Sequence, residues 1–238
     1  MAKLFAGTSG FSYPSWKPVF YPEKLSAKKF LSYYATRLNA VEINYTFRQL
    51  PKASTLEGWL AETPPGFCFV CKAHQRITHI QRLAPGEFMQ LFLKAVDPLR
   101  IKGRLGPILF QLPPNLKLDA ARLAAFLAEI PSDIRTAFEF RNQSWLTDEV
   151  YDLLAKHNAA LCLAESDKVA IPHRLTADYT YFRLRKADYP PDARADIMRQ
   201  ITELLGQGKD VYVFFKHEDD PAGAAYAEEL LATGKMSA

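Results

Sequence analysis

Thr136-Ala137-Phe138-Glu139-Phe140-Arg141 places phenylalanine at 138 and 140 and an ionisable side chain at 139 and 141. Alternation at period two is the signature of a β-strand whose two faces meet different surroundings. The phenylalanines need an apolar cover, whereas Glu139 and Arg141 need water, a counter-charge or a ligand. Helical patterns lie on either side, over Asp119–Glu129 and Asp148–His157. The aromatic face is therefore expected against helices and the charged face on the opposite side of the sheet.

The same unit recurs outward in both directions. Short apolar runs occupy Lys3–Ser9, Ala40–Thr46, Phe67–Ala73, Leu105–Leu112, Ala159–Ser166, Tyr179–Arg185 and Asp210–His217, making eight strands with the first. Further helical patterns fall over Ala27–Leu38, Ala53–Glu62, Phe88–Ile101, Asp192–Leu205 and Ala222–Leu231. The sixth connection, Lys168 to Asp178, contains Ile171-Pro172 and carries no helical pattern. Ser26 and Asp119 stand where helix caps are expected, and Gly206 and Gly208 where a helix closes. Strands alternating with helices predict a parallel sheet, and eight units in 238 residues predict an α/β fold, a single-domain (β/α)8 TIM barrel with an irregular sixth connection. An open doubly wound sheet is the alternative. Its glycine-rich phosphate turn is not matched by Gly7-Thr8-Ser9-Gly10.

In such a barrel the outward face packs on helices, and inward residues near the C-terminal strand ends reach the mouth where chemistry is placed. Parity then sends Glu42 and Asn44 inward from the second strand, Lys72 from the third and Gln111 from the fourth. Glu139 and Arg141 follow from the fifth, Tyr181, Arg183 and Arg185 from the seventh, and Lys216 from the eighth, with His217 at the rim. Two readings explain the ring. Either it is closed by internal ion pairs, such as Glu42 with Lys72 or Glu139 with Arg183, or it receives a ligand. Inert strand ends would be filled more cheaply with Val, Ile and Leu, which favours a site.

Composition sets the outer bounds. Forty-eight per cent hydrophobic residues exclude a disordered chain, and a formal charge of +4 permits anionic ligands without demanding nucleic acid. Three cysteines do not make a disulfide framework. No apolar stretch reads as a secretion signal or a membrane span, so a cytoplasmic protein is expected. Cys68 and Cys71 have C-x-x-C spacing, but on a strand they point to opposite faces and read as core.

An ordered series of motifs resembles the domain-of-unknown-function 72 family, also called YecE-like. It begins with Gly7-Thr8-Ser9-Gly10-Phe11-Ser12-Tyr13, Trp16 and Phe20-Tyr21-Pro22, and continues through Val41-Glu42-Ile43-Asn44-Tyr45-Thr46-Phe47. Trp59 with Thr63-Pro64, Phe69 with Lys72, and Ile77-Thr78-His79 come next. Phe110-Gln111-Leu112-Pro113-Pro114 and Glu139-Phe140-Arg141 with Ser144-Trp145 complete the series. The resemblance implies a TIM barrel with a family cleft whose chemistry has no settled assignment. The chain departs from it at Arg183-Leu184-Arg185-Lys186, where many relatives carry Arg-Leu-His-Gly, and at Lys216-His217, where others carry an Asn pair. Both departures make the mouth more cationic.

The expected activity is hydrolysis or lysis by acid/base chemistry, without a cofactor, on a small anionic or sugar-like molecule. Glu42 and Glu139, three strands apart, are candidates for proton transfer or attack, as in glycoside hydrolysis. His79 is a further acid or base. Lys72, Arg141, Arg183 and Lys216 would hold an anion, and Asn44 and Gln111 would orient it. Tyr13 and Trp16 would give a sugar a stacking wall, unless the first-loop aromatics only anchor their own loop. His74 and His79 lie among basic neighbours and no metal is expected. Binding of nucleic acid or another anion without turnover is the rival reading.

Overall fold

Each strand holds its alternation, and the two sets of side chains form two separate apolar layers. Ala40, Val70, Leu109, Ala137, Cys162 and Tyr181 pack together inside, while Val41, Phe69, Phe110, Phe138, Leu163 and Phe182 join the layer beneath the helices. Cys68 falls in the inner layer and Cys71 in the outer one, both as buried free thiols. The computed structural model describes residues 1–166, 168–216 and 220–234. Its strands are β1 (Leu4–Ser9), β2 (Ala40–Ile43), β3 (Cys68–Cys71), β4 (Ile108–Gln111), β5 (Thr136–Glu139), β6 (Ala160–Ala164), β7 (Tyr179–Leu184) and β8 (Asp210–Phe215). They run in the order β3-β2-β1-β8-β7-β6-β5-β4, and every recorded pairing is parallel.

The ends of this sheet meet. Isolated bridges join Phe69 to Leu105 and Lys72 to Leu109, so β3 and β4 close a (β/α)8 barrel through scattered contacts rather than a continuous ladder. The helices are α1 (Phe30–Arg37), α2 (Tyr45–Arg48), α3 (Ala53–Glu62), α4 (Glu87–Ile101), α5 (Ala120–Ala128), α6 (Asp148–Lys156), α7 (Pro191–Gly206) and α8 (Ala222–Gly234). Between β6 and β7 the described residues contain no helix. No helix among them is long and apolar enough to cross a membrane.

Local signals act largely as expected. Asp119 accepts a hydrogen bond from the Arg122 amide at 3.0 Å and opens α5, and Thr147 does the same for α6 through Val150. Ser26 does not cap α1 with its side chain. A single turn over Ala27–Lys29 intervenes, and the Lys29 amide bonds the Ser26 carbonyl instead. Several strands stop sooner than their apolar runs. Asn44, Lys72, Arg141, Arg185 and Lys216 therefore stand just past the last ladder residue, at the mouth, where the backbone is free to turn.

The Tyr34 hydroxyl is wedged between β1 and β2, donating to the Ala40 carbonyl at 2.9 Å and accepting from the Thr8 amide at 2.8 Å. Only glycine leaves room for it at position 7, since a Cβ there would lie 1.9 Å from the Ala40 oxygen and 2.7 Å from the Tyr34 hydroxyl. Gly7→Ala is expected to cost about 3 kcal/mol, because backbone on both strands has to separate. Urea unfolding measures it, and a loss of less than about 0.5 kcal/mol, the range of an ordinary surface change, contradicts the close approach.

Candidate active site at the barrel mouth

Arg183, at the inward face of β7 and buried, joins the two carboxylates across the barrel. Its Nε and Nη2 donate to Glu42 Oε2 and Oε1 at 2.8 and 2.6 Å, and its Nη1 donates to Glu139 Oε2 at 2.5 Å. A planar guanidinium fork suits this arrangement, which an ammonium could not copy. Glu42 pairs with Arg183 and not with Lys72, and Glu139 takes Arg183 as one of its cations.

The remaining lone pairs of both carboxylates are filled as well. Glu42 accepts from the Ser9 hydroxyl at 2.6 Å and the Tyr181 hydroxyl at 2.7 Å. Glu139 accepts from Gln111 Nε2 at 2.8 Å, Arg141 Nε at 3.0 Å and Arg185 Nη2 at 2.7 Å. An ionised carboxylate offers about four acceptor positions, so each of these is saturated. Asn44 enters one step removed, donating to Ser9 Oγ at 2.8 Å.

These partners set the protonation. Burial pushes Glu42 upward, but Arg183, Ser9 and Tyr181 outweigh it and hold the carboxyl below its ordinary value. For Glu139 burial is likewise outweighed, by Arg183, Arg185, Arg141 and Gln111, and the shift is strongly downward. Arg183 is raised well above its ordinary value, because Glu42 and Glu139 overcome its own desolvation. Both carboxylates are therefore anions at neutral pH.

Lys72 behaves differently. Its ammonium lies 4.3 Å from the centre of the Phe47 ring rather than on a carboxylate. Burial and the nearby Arg183 and Arg141 outweigh the pull of Glu42 and Glu139, and its pKa falls to about 8. The His79 ring meets Phe47 edge-on at 5.1 Å, and its Nδ1 is 2.8 Å from Thr78 Oγ1. Burial lowers His79 first, and Lys72 and Arg141 lower it further, so its neutral form dominates at pH 7. His74 contacts the Arg48 carbonyl and the Arg76 amide. Among the described residues no three His, Cys, Asp or Glu side chains cluster as a metal set would.

Other expected residues lie elsewhere. Trp16 is fully buried among Tyr13, Phe20 and Tyr21, with ring centroids 4.9–6.0 Å away, so it offers no face to a sugar and anchors its own loop. Tyr13 is half-buried and donates to the Ser9 carbonyl at 2.8 Å. Lys216 is exposed at the rim, one residue past β8, and its amide bonds the Leu184 carbonyl. His217 lies outside the described residues.

Beside the network a cleft of about 1000 Å³ opens over the ends of β5, β6 and β7 and against α7. Of the expected site residues, Glu139 and Arg141 reach it, and Arg185 joins them. Arg185 Nε is buried there without a hydrogen-bond partner. Glu165 also lines the cleft, accepting from the Arg185 and Lys186 amides and the Tyr189 hydroxyl. Sequence reasoning did not single out Ser9, Phe47 or Glu165. Ser9 follows the inward parity of β1 and was within reach of it, whereas Glu165 serves backbone amides, which leave no trace in sequence.

Comparison with known proteins agrees with this architecture. The chain matches the family described as "Protein of unknown function DUF72" over residues 5–237. It is 31% identical over 139 residues to the UPF0759 protein YunF of Bacillus subtilis (strain 168), a match covering 56% of this chain and about half, 49%, of that protein. A crystal structure of a DUF72 family protein from Thermotoga maritima MSB8 superposes with a TM-score of 0.79 at 28% identity, covering 98% of this chain and 99% of that one. One from Enterococcus faecalis V583, at 19% identity, gives a TM-score of 0.77 over 98% and 96% of the two chains and supports the fold alone. With its barrel, its ordered motifs and a family match spanning nearly every residue, the chain belongs to the DUF72 family.

Proposed function

We propose that the protein is an enzyme of hydrolase or lyase type that takes a small anionic substrate at the C-terminal mouth of its barrel. The observation that carries this reading is the charge balance of the mouth among the described residues. Lys72, Arg141, Arg183 and Arg185 surround Glu42 and Glu139, both carboxylates are saturated by donors, and Arg185 Nε is left buried without an acceptor. A phosphate or carboxylate group would meet the partly exposed Arg141 and Arg185 side chains and offset the surplus charge.

The roles divide by protonation state. Glu42 and Glu139 hold Arg183 and its neighbours in register, and neither has an acidic proton to give at neutral pH. A glycosidase pair would need open space between its carboxyls for the scissile bond, and here Arg183 bridges them. Proton transfer falls to His79, neutral and able to accept, and to Lys72, whose pKa of about 8 suits a donor to a leaving group. Arg141 and Arg185 grip the anion, while Asn44 and Gln111 act through Ser9 and Glu139.

Titration calorimetry with phosphate, sulfate and citrate at low salt tests the anion site. Binding that the double change Arg141→Ala and Arg185→Ala weakens by roughly a hundredfold, about 2.8 kcal/mol for two charge-assisted contacts, is the expected result. No binding of any of the three at millimolar concentration ends the proposal. Single- and double-stranded oligonucleotides titrated against salt separate the rival reading, in which a steep slope accompanies binding without turnover.

A further inference from the structure

We infer that the substrate is amphipathic, with an anionic group on Arg141 and Arg185 and an apolar body lying in the groove between the β6–β7 connection and α7. The anionic end rests on the function proposed above, and the apolar body is the new element. It stands on the shape of the barrel where its helical layer is interrupted. Elsewhere an α-helix covers the outer face of neighbouring strands, but the described residues between β6 and β7 contain none. Leu163, Phe182 and Leu184 point to that outer face and line the cleft, and Val169, Ile171 and Ile197 complete an apolar wall.

The same cleft reaches Arg141, Arg185 and Glu139 at the strand ends, so one hollow joins the charged mouth to this apolar wall, with Lys168, His173, Lys186 and Gln200 also among its lining. Its volume of about 1000 Å³ lies at the upper end of the range for sites that enclose a drug-sized ligand. A free inorganic anion would leave most of it wet. Among the described residues the acidic groups along it are already engaged. Glu139 is saturated, Glu165 holds backbone amides and the Tyr189 hydroxyl, and Asp196 on α7 pairs with Arg199 at 2.9 Å. The Arg185 side chain, 22% exposed and in the cleft's lining, remains as the cation that a bound headgroup would meet. Buried apolar walls against a fixed guanidinium select a molecule with one charged end and a hydrocarbon or aromatic remainder.

Calorimetry on the full chain with octyl phosphate, kept below its micelle concentration, against inorganic phosphate and octanol decides the matter. The expected result is octyl phosphate bound roughly thirtyfold or more tighter than phosphate, since only part of an eight-carbon chain need be buried. Octanol should bind more weakly than octyl phosphate. Ile197→Trp, which fills the groove, should bring octyl phosphate to within about threefold of phosphate and leave phosphate unchanged, because each buried methylene is worth roughly a fourfold factor. Ala193→Trp on the same wall of α7 provides a second reading should the first variant fold poorly. Phosphate and octyl phosphate bound equally, both lost in Arg185→Ala, would overturn the apolar body and leave the anion site standing. Octanol bound as well as octyl phosphate would overturn the coupling of the two ends. Binding of neither anion would overturn this inference together with the function it extends.

Discussion

Arg183→Met loses on the order of 5 kcal/mol of stability at pH 7, the upper part of the range for removing one partner of a buried ion pair. The size follows from the geometry, because this one side chain answers two buried carboxylates. Without it Glu42 keeps only the Ser9 and Tyr181 hydroxyls and becomes a buried anion with no paired cation, while Glu139 falls back on Arg141 and Arg185, and water cannot reach either carboxylate freely. The pH dependence changes sign as well. In the native protein both carboxyls titrate below their unfolded values, so their contribution is complete above about pH 4.5, the ordinary value, and is lost as pH falls through the folded values. In the methionine variant burial and mutual repulsion raise at least one of them, the folded state binds the extra proton, and stability increases as pH falls from 7 toward 5. Urea unfolding at pH 5, 6, 7 and 8 reads both effects. A variant within 1 kcal/mol of the parent, on the order of a single surface ion pair, with the same slope would mean that the network contributes little to the fold.

Lys72→Met moves in the other direction. The ammonium carries a desolvation cost and the repulsion of Arg183 and Arg141, which is why its pKa stands at about 8 against the 10.5 of a free lysine. Between those values the unfolded chain holds the proton more tightly, so native stability rises with pH across that window, and below pH 8 the whole cost is borne by the folded state. Methionine removes it. A gain of about 2 kcal/mol at pH 7 is expected, after allowance for partial exposure and for the lost contact with Phe47, and the gain disappears by about pH 10.5. With a substrate in hand, the same variant should turn over roughly a hundredfold to a thousandfold more slowly. A more stable but slower protein marks a group kept for chemistry at the expense of the fold. Lower stability with unchanged turnover would assign Lys72 to packing.

Much of this was legible in the alternation of strands such as β5. A strand between two apolar layers cannot slip by one residue without burying its charges against helices, so parity placed Glu42, Gln111, Glu139 and Arg183 on a common axis. That the described residues of the sixth connection contain no helix was legible as an absence of periodicity after Lys168. What escaped was the identity of partners. Parity says that Glu42 points inward, but whether Lys72 or Arg183 answers it depends on side-chain reach and on the fork of the guanidinium, which spans both carboxylates. Trp16 shows a second limit. A loop rich in aromatics reads equally well as a binding wall or as its own anchor, and three-dimensional packing chose the anchor. The groove beside α7 is a third case, since an absent helix leaves either a collapsed flank or an open one.

The scattered closure between β3 and β4 gives the barrel a place to yield. Local openings in folded proteins begin where few backbone groups are tied, and this seam has two isolated bridges where the neighbouring pairs have ladders. Lys72 is itself one of the bridged residues, whereas Glu42, Glu139 and Arg183 sit on strands laddered to other neighbours. The Lys72 amide and carbonyl are also held on the β2 side, by the Ile43 carbonyl and the Thr46 hydroxyl, so breathing at the seam would part β4 from β3 while Lys72 stays with the strand that carries Glu42. One cylinder would thereby combine a rigid cradle with a single flank that can part.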